Sequence, residues 1–176
     1  YNEALDAAKA DDALVFVHDD VFISDQHFQE RLLRALDRFD VVGVAGCVRR
    51  APGQTAWISS DGKKNDPPEN LSGKVAYPKG GGGMMGIDVY GETPHEVQLL
   101  DGVLLAARAG RLRETSARFD TKFLFHFYDL DFCRTCEVAR LRMGTWPLAI
   151  IHASGGTYGS VAWLAGRDAY LEKWRS

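Results

Sequence analysis

Short apolar runs alternate with helical patterns along the chain. Predicted strands occupy residues 13–17, 41–48, 97–108 and 145–152. The runs at 13–17 and 41–48 are almost entirely apolar, which is typical of strands buried on both faces. Helical propensity or helical spacing of apolar residues covers residues 2–10, 25–39, 128–140 and 161–174, with Gly144 as the expected cap of the third helix. This alternation predicts an α/β fold with a mixed sheet.

The stretch from about residue 51 to residue 96 interrupts the alternation. It contains all but one of the six prolines, the Gly80–Gly83 run of glycines, and only short strand signals at 55–59 and 74–77. We expect a loop-rich insertion within a single domain that spans residues 1–176. No Lys-Ser or Lys-Thr follows the glycines, so they predict a lid or an acceptor loop instead of a phosphate-binding loop.

Composition and charge narrow the functional classes. Hydrophobic residues make up 45% of the chain and charged residues 26%, as in ordinary globular domains. The net charge of -3 lacks the basic excess of nucleic-acid-binding surfaces, so no nucleic acid is expected as a partner. No apolar run approaches the roughly 20 residues that span a bilayer. Three cysteines are too few to form the disulfide framework of a small secreted domain, which favours a cytoplasmic location.

Polar side chains follow two of the predicted strands. His18, Asp19 and Asp20 come directly after the strand at 13–17, and His152 ends the strand at 145–152. Ligands of open α/β sheets bind at the carboxyl ends of the strands, and oxygen ligands with an imidazole suit Mg²⁺ or Mn²⁺. The residues alone leave a second interpretation open, in which the two aspartates form a turn that caps the next helix.

A third acidic group lies within an aromatic segment at residues 125–132. Desolvation among these rings raises a carboxyl pKa toward the range of a general base. The alternative is that both aspartates, Asp129 and Asp131, are N-terminal helix caps favoured by the helix dipole. We favour this structural role for Asp131, whereas for Asp129 the residues alone leave both roles open. Asp101 is expected either to contact an acceptor or to form a turn.

The cysteine pair and the tryptophans each have both a structural and a functional interpretation. Cys133 and Cys136 have the spacing of half a zinc site, but a structural zinc ion normally takes four ligands, so we expect buried, packed thiols. The four tryptophans could stack on a sugar, although core packing is more usual for this residue. Trp57, within the insertion, is the best candidate for stacking.

The polar segments resemble motifs of family 2-like glycosyltransferases with the GT-A fold. The segment at 18–21, His-Asp-Asp-Val, is similar to the DxD metal motif of that family, with His18 in the first acidic position and Asp20 in the last. His152 is similar to the late histidine that completes the metal site in many members. The resemblance therefore implies that Asp20 and His152 hold the metal ion.

The aromatic segment carries the rest of the resemblance. Residues 128–132, Tyr-Asp-Leu-Asp-Phe, are similar to the EDxDL motif, in which the second acidic residue is the catalytic base. That role falls on Asp129, and Tyr128 stands where the family usually has Glu. Residues 118–120, Arg-Phe-Asp, are similar to the GFDE segment that precedes the base.

The resemblance implies a Rossmann-like GT-A mixed sheet flanked by helices. It also implies that the first β-α units, which hold the nucleotide base and ribose in the family, would precede Tyr1, so the domain is expected to be N-terminally incomplete. The implied activity is metal-dependent transfer of a sugar from a nucleotide-diphosphate donor to an acceptor hydroxyl with inversion. The acceptor would be a sugar, a lipid-linked molecule or a small molecule.

The implied cofactor is Mn²⁺ or Mg²⁺, which would neutralise the departing diphosphate. Asp19, Asp20 and Lys63 are the residues expected to contact the donor and its cation. Two other functions stay open from the sequence. One is a non-catalytic carbohydrate- or nucleotide-binding domain on the same fold, and the other is a metal-dependent phosphohydrolase or nucleotidyltransferase built on the aspartate pair.

Overall fold

The computed structural model describes residues 1–80, 83–154 and 158–175. Within these ranges the strands are β1 (Ala13–Val17), β2 (Val21–Ile23), β3 (Val41–Gly43), β4 (Ala45–Cys47), β5 (Leu71–Pro78), β6 (Met85–Gly91), β7 (His95–Glu96), β8 (Leu99–Leu100), β9 (Leu104–Arg108), β10 (Met143–Thr145) and β11 (Ile150–His152). The α-helices are α1 (Asn2–Ala7), α2 (Phe28–Arg38), α3 (Ala109–Glu114), α4 (Tyr128–Val138) and α5 (Val161–Lys173), and a 3-10 helix spans Pro68–Asn70. The predicted mixed α/β architecture is confirmed.

The described strands form two mixed sheets. The first has the order β1-β9-β3-β10-β7, and the second has the order β2-β11-β5-β4-β8, with β6 also paired to β5. The β3–β10 and β5–β11 pairs are parallel, and the other pairs are antiparallel. No helix within the described ranges has the length and apolar character needed to cross a membrane.

Three apolar runs that predicted single strands are each divided between the two sheets. Residues 41–48 form β3 and β4, residues 97–108 contribute β8 and β9, and the run at 145–152 is split between β10 and β11. Pro147 accounts for the last break, because proline has no N–H for a strand ladder. The break between β8 and β9, in the run at 97–108, is a turn in which the Val103 N–H donates to the Asp101 carboxylate at 3.0 Å. The prediction of continuous strands was therefore wrong.

The helices that the sequence predicts are present, but their ends differ from the predicted ones. α4 stops at Val138, and Arg140 just beyond it has a left-handed φ of 56° that ends the helical path. Gly144 lies in β10, so its prediction as the helix cap was wrong. The short helix α3 directly follows β9 and was not predicted.

The insertion at 51–96 has more regular structure than expected. β5 and β6 pair along their length as a long hairpin, which extends well beyond the strand signal at 74–77. The other signal, at 55–59, forms only an isolated bridge between Ala56 and Ser59. Gly81 and Gly82 lie outside the described residues, so the role of the glycine run stays a prediction.

The core packs the helices against the sheets and fixes the start of α4. Phe132 on α4 is buried and stacks on Phe119 with ring centroids 4.1 Å apart. Cys133 and Cys136 are also buried, and this burial raises the pKa of both thiols. They are packed, inert thiols, as expected.

Candidate active site

The connection from β1 to β2 brings the segment at 18–20 to the end of β11. Antiparallel pairing places Val21 opposite His152, and the Ala153 N–H donates to the Asp20 carbonyl at 3.1 Å. At the other end of the turn, the His18 N–H donates to the Val103 carbonyl at 3.3 Å. The backbone therefore holds two remote segments of the chain side by side.

These segments form a cluster of His18, Asp20 and His152. The Nδ1 atom of His18 lies 3.2 Å from Nε2 of His152, which lies 3.3 Å from Oδ1 of Asp20. One ligand atom from each of the three residues lies within 4.8 Å of the others. A hydrogen bond from Ser154, followed by the nearby His152, lowers the pKa of Asp20 and keeps it ionised.

The cluster fits a divalent cation. Bonds of about 2.1 Å to one ion separate neighbouring ligand atoms by about 3.0 Å in octahedral geometry and by about 3.4 Å in tetrahedral geometry. The two short separations in the cluster fall within this range. Two imidazoles and an ionised carboxylate are also ordinary metal ligands in proteins.

Two residues predicted to contact the donor do not join the cluster. Asp19 and Lys63 are exposed, and neither lines the cavity described below. The loop of Lys63 is held by its backbone N–H, which donates to Asp61 at 2.9 Å. Their contact with a donor stays a prediction, whereas His18 is a cluster member that was not among the predicted metal ligands.

Tyr128 and Gly102 connect the cluster to Asp129. The Tyr128 hydroxyl lies 3.1 Å from Nε2 of His18 and donates to the Gly102 carbonyl at 2.8 Å. The N–H of the same glycine donates to Oδ2 of Asp129 at 3.1 Å. One residue in the turn between β8 and β9 therefore contacts both Tyr128 and Asp129.

Asp129 has the surroundings of a general base. Burial first, and the nearby Asp101 second, raise the pKa of Asp129 to about 7, although N–H groups of Leu130 and Gly102 oppose the shift. Just before α4, Phe127 has a left-handed φ of 66°, an uncommon conformation for a bulky residue. Strained backbone of this kind often occurs at functional sites.

A cavity of about 530 Å³ joins these groups, a volume typical of ligand sites. His18, His152, Asp101 and Asp129 all line it. Its described walls are rich in aromatic rings, namely Trp57, Tyr77, Tyr90, Phe125, Phe127, Tyr128, Tyr158 and Trp163. The lining residues within the described part of the chain include three aspartates and no lysine or arginine.

Asp101 forms the turn that was one of its two expected roles. Its side chain accepts the Val103 N–H, and burial raises the pKa of its carboxyl group, while a hydrogen bond from the Trp57 side chain opposes this effect. Trp57 is itself buried and packs edge-on against Tyr90, with ring centroids 4.9 Å apart. Tyr90 and Tyr158 are cavity residues that the sequence did not reveal, because no local pattern links their segments.

Asp131 has a structural role, but not as the expected helix cap. Its carboxylate is fully buried and pairs with Nζ of Lys173 at 2.8 Å. The Trp174 indole N–H also donates to it at 2.8 Å. These contacts fasten the end of α5 to α4.

Comparison with known proteins agrees with the geometry. A family model described as "Glycosyltransferase like family" matches residues 1–151. The chain belongs to this glycosyltransferase family. The family 2-like resemblance and the GT-A-like fold are thereby confirmed. The match includes His18, Asp20 and Asp129, and it ends one residue before His152. No curated protein matches the chain.

Proposed function

We propose that this glycosyltransferase moves a sugar from a nucleotide-diphosphate donor to an acceptor hydroxyl, with inversion, in a reaction that depends on a divalent cation. One observation carries the proposal. The imidazoles of His18 and His152 line the same cavity as the carboxyl group of Asp129, although these residues come from three distant segments. A cation site and a proton acceptor that share one cavity are what such a transfer needs.

The donor side depends on the cluster. A bound divalent cation supplies positive charge to the diphosphate as it leaves. Among the described lining residues there is no lysine or arginine to do this instead. Asp20 and His152 hold the cation in this proposal, and Asp19 and Lys63 contact the donor.

Asp129 activates the acceptor. A base with a pKa near 7 is ionised in a large fraction of molecules at neutral pH, yet still accepts a proton effectively. The acceptor oxygen forms a bond to the anomeric carbon while the bond from that carbon to the diphosphate oxygen breaks. The hydroxyl proton goes to Asp129 and the electron pair of the broken bond leaves with the diphosphate. A single displacement from the opposite face inverts the anomeric centre.

The cavity walls favour an uncharged sugar as the acceptor. Aromatic rings such as Tyr90 and Trp163 offer apolar faces to the C–H side of a sugar ring. The Asp101 carboxylate accepts hydrogen bonds from hydroxyl groups. An anionic acceptor would meet three aspartates and no lysine or arginine among the described lining residues.

Transfer assays on the purified protein test the proposal. The protein is incubated with Mn²⁺, a panel of nucleotide-diphosphate sugars and a panel of methyl hexosides, and the anomeric configuration of the product is read by NMR. We expect an inverted glycoside, and Asp129→Asn is expected to lower turnover by roughly 100-fold to 10,000-fold. Asp168→Asn, an exposed change on α5, is the matched control.

Other outcomes would contradict the proposal. Unchanged turnover in Asp129→Asn would remove the base from the mechanism. Release of phosphate or pyrophosphate without transfer to an acceptor would indicate a phosphohydrolase or a nucleotidyltransferase. Donor binding without any turnover would indicate a non-catalytic binding domain.

A further inference from the structure

The two positions at which the chain departs from the family motifs contact each other. His18 stands where the DxD motif has its first acidic residue, and Tyr128 stands where the EDxDL motif has Glu. In the fold, Nε2 of His18 lies 3.1 Å from the Tyr128 hydroxyl, although the residues are 110 positions apart. Two carboxylates of the family pattern are thus replaced by an imidazole and a phenol that form a hydrogen bond.

This hydrogen bond fixes the tautomer of His18. A tyrosine hydroxyl has one proton, and that of Tyr128 points to the Gly102 carbonyl, an acceptor without a proton, at 2.8 Å. The phenol oxygen must therefore accept from His18, so the ring carries its proton on Nε2. In a neutral imidazole the other nitrogen, Nδ1, then presents a lone pair.

The lone pair of His18 Nδ1 faces the other ligand atoms of the cluster. Nδ1 lies 3.2 Å from Nε2 of His152, and the His152 nitrogen lies 3.3 Å from the Asp20 carboxylate. These are the spacings of neighbouring ligands on one ion, as described above. Metal-bound histidines commonly donate their second N–H to a fixed oxygen, and the Tyr128 hydroxyl supplies such an oxygen here.

We propose that His18 is a third metal ligand through Nδ1, oriented by Tyr128, and that the resulting site selects a first-row transition ion over Mg²⁺. The inference rests on the cation dependence in the proposed function and deepens it. Imidazole ligands suit transition ions, whereas Mg²⁺ prefers an all-oxygen set. Two imidazoles and one carboxylate therefore favour Mn²⁺ and the later ions of the row.

Calorimetric titration with MnCl₂ and with MgCl₂ separates these alternatives without an activity assay. We expect the Kd for Mn²⁺ to be at least about tenfold below that for Mg²⁺. His18→Ala is expected to weaken Mn²⁺ binding by about tenfold or more, and Tyr128→Phe, which keeps the ring, by about 10-fold to 100-fold. His18→Asp, which restores an oxygen ligand, is expected to shift the preference toward Mg²⁺. Thermal unfolding confirms that each variant is folded.

A spectroscopic measurement and a matched control complete the test. Electron spin echo modulation of bound Mn²⁺ is expected to report nitrogen from two imidazoles in the parent protein and from one in His18→Ala. His95→Ala, which removes an exposed imidazole outside the cavity, is expected to change neither measurement.

Equal affinity for Mg²⁺ and Mn²⁺, or an unchanged Mn²⁺ affinity in folded His18→Ala, would overturn the inference. So would an unchanged Mn²⁺ affinity in folded Tyr128→Phe, because the orienting role would then be absent. Mn²⁺ held by both imidazoles in a protein that transfers no sugar would support the site and contradict the proposed function. Sugar transfer by a protein in which only one imidazole nitrogen binds Mn²⁺ would support the proposed function and contradict the inference about His18.

Discussion

The Asp101 carboxyl group raises the pKa of Asp129 across the cavity that both residues line. Burial is the larger cause of this shift, and Asp101 adds a like charge that disfavours ionisation of its neighbour. The pair gives the proposed base a pKa of about 7 instead of the ordinary value near 3.8. We therefore expect these two carboxyl groups to determine the pH dependence of the proposed reaction.

Activity is expected to rise with pH through about 7, because Asp129 must be ionised to accept a proton. In Asp101→Asn one negative charge is removed, so ionisation of Asp129 becomes easier and its pKa falls. The rising limb of the profile of kcat/KM against pH is therefore expected to move to lower pH. Profiles recorded from pH 5 to pH 9 measure the shift, with Asp168→Asn as the distant control. If the rising limb of the Asp101→Asn profile lies at the same pH as in the parent protein, Asp101 does not affect the pKa of the base.

Asp129→Asn is expected to make stability less sensitive to pH. The folded-state pKa of Asp129 is raised from 3.8 to about 7, so its stabilising contribution is full below pH 3.8 and is lost as the pH rises through about 7. Asparagine has no such ionisation, and its side-chain oxygen can still accept N–H bonds. The Tm of the variant relative to the parent should therefore increase from pH 5 to pH 8. A constant difference in Tm across this range would contradict the assigned pKa.

Gly102→Ala is expected to damage the site while leaving the fold intact. A Cβ atom at this position would collide with the Tyr128 hydroxyl and lie 3.0 Å from Cβ of Asp129. A displacement of the base by about 1 Å lowers turnover by about 100-fold, and Mn²⁺ binding should weaken as Tyr128 moves. Gly80→Ala is the control, because a Cβ there meets nothing within 4 Å. Normal turnover in a folded Gly102→Ala protein would contradict the role given to this turn.

Lys173→Ala is expected to destabilise the protein by about 3 kcal/mol, because it leaves the buried Asp131 carboxylate without its cation. Adding Asp131→Asn to this variant should recover part of the loss, since no unpaired buried charge then remains. Urea unfolding measures both changes. Lys122→Ala, at an exposed position, is the control. A loss in Lys173→Ala no larger than in the control would mean that Asp131 does not need this partner.

The sequence predicts the elements of this fold better than their arrangement. Apolar spacing identifies α2 because its buried residues, Leu32, Ala35 and Leu36, lie on one face against the protein interior. The same reasoning cannot divide the run at 41–48 between two sheets, since β3 and β4 are equally buried. Burial determines the composition of such a run, whereas the partner strand determines which sheet it joins.

The candidate site shows the same limit. Motif resemblance identifies Asp20, Asp129 and His152, because each lies within a recognisable local segment. The contact between His18 and Tyr128 has no local signal, since it depends on how two strands and a helix pack. The aromatic walls are equally hidden, because their residues come from segments that come together only in the folded chain.

The anchoring of α5 has a consequence for the shape of the cavity. The family match ends at residue 151, yet Trp163 on α5 lines the cavity, and the far end of that helix is tied down at Lys173. Part of the aromatic wall therefore comes from a segment outside the family match, and its position depends on a contact at the opposite end of the helix. A change at Lys173 is expected to move this wall, although Lys173 is not among the described residues that line the cavity.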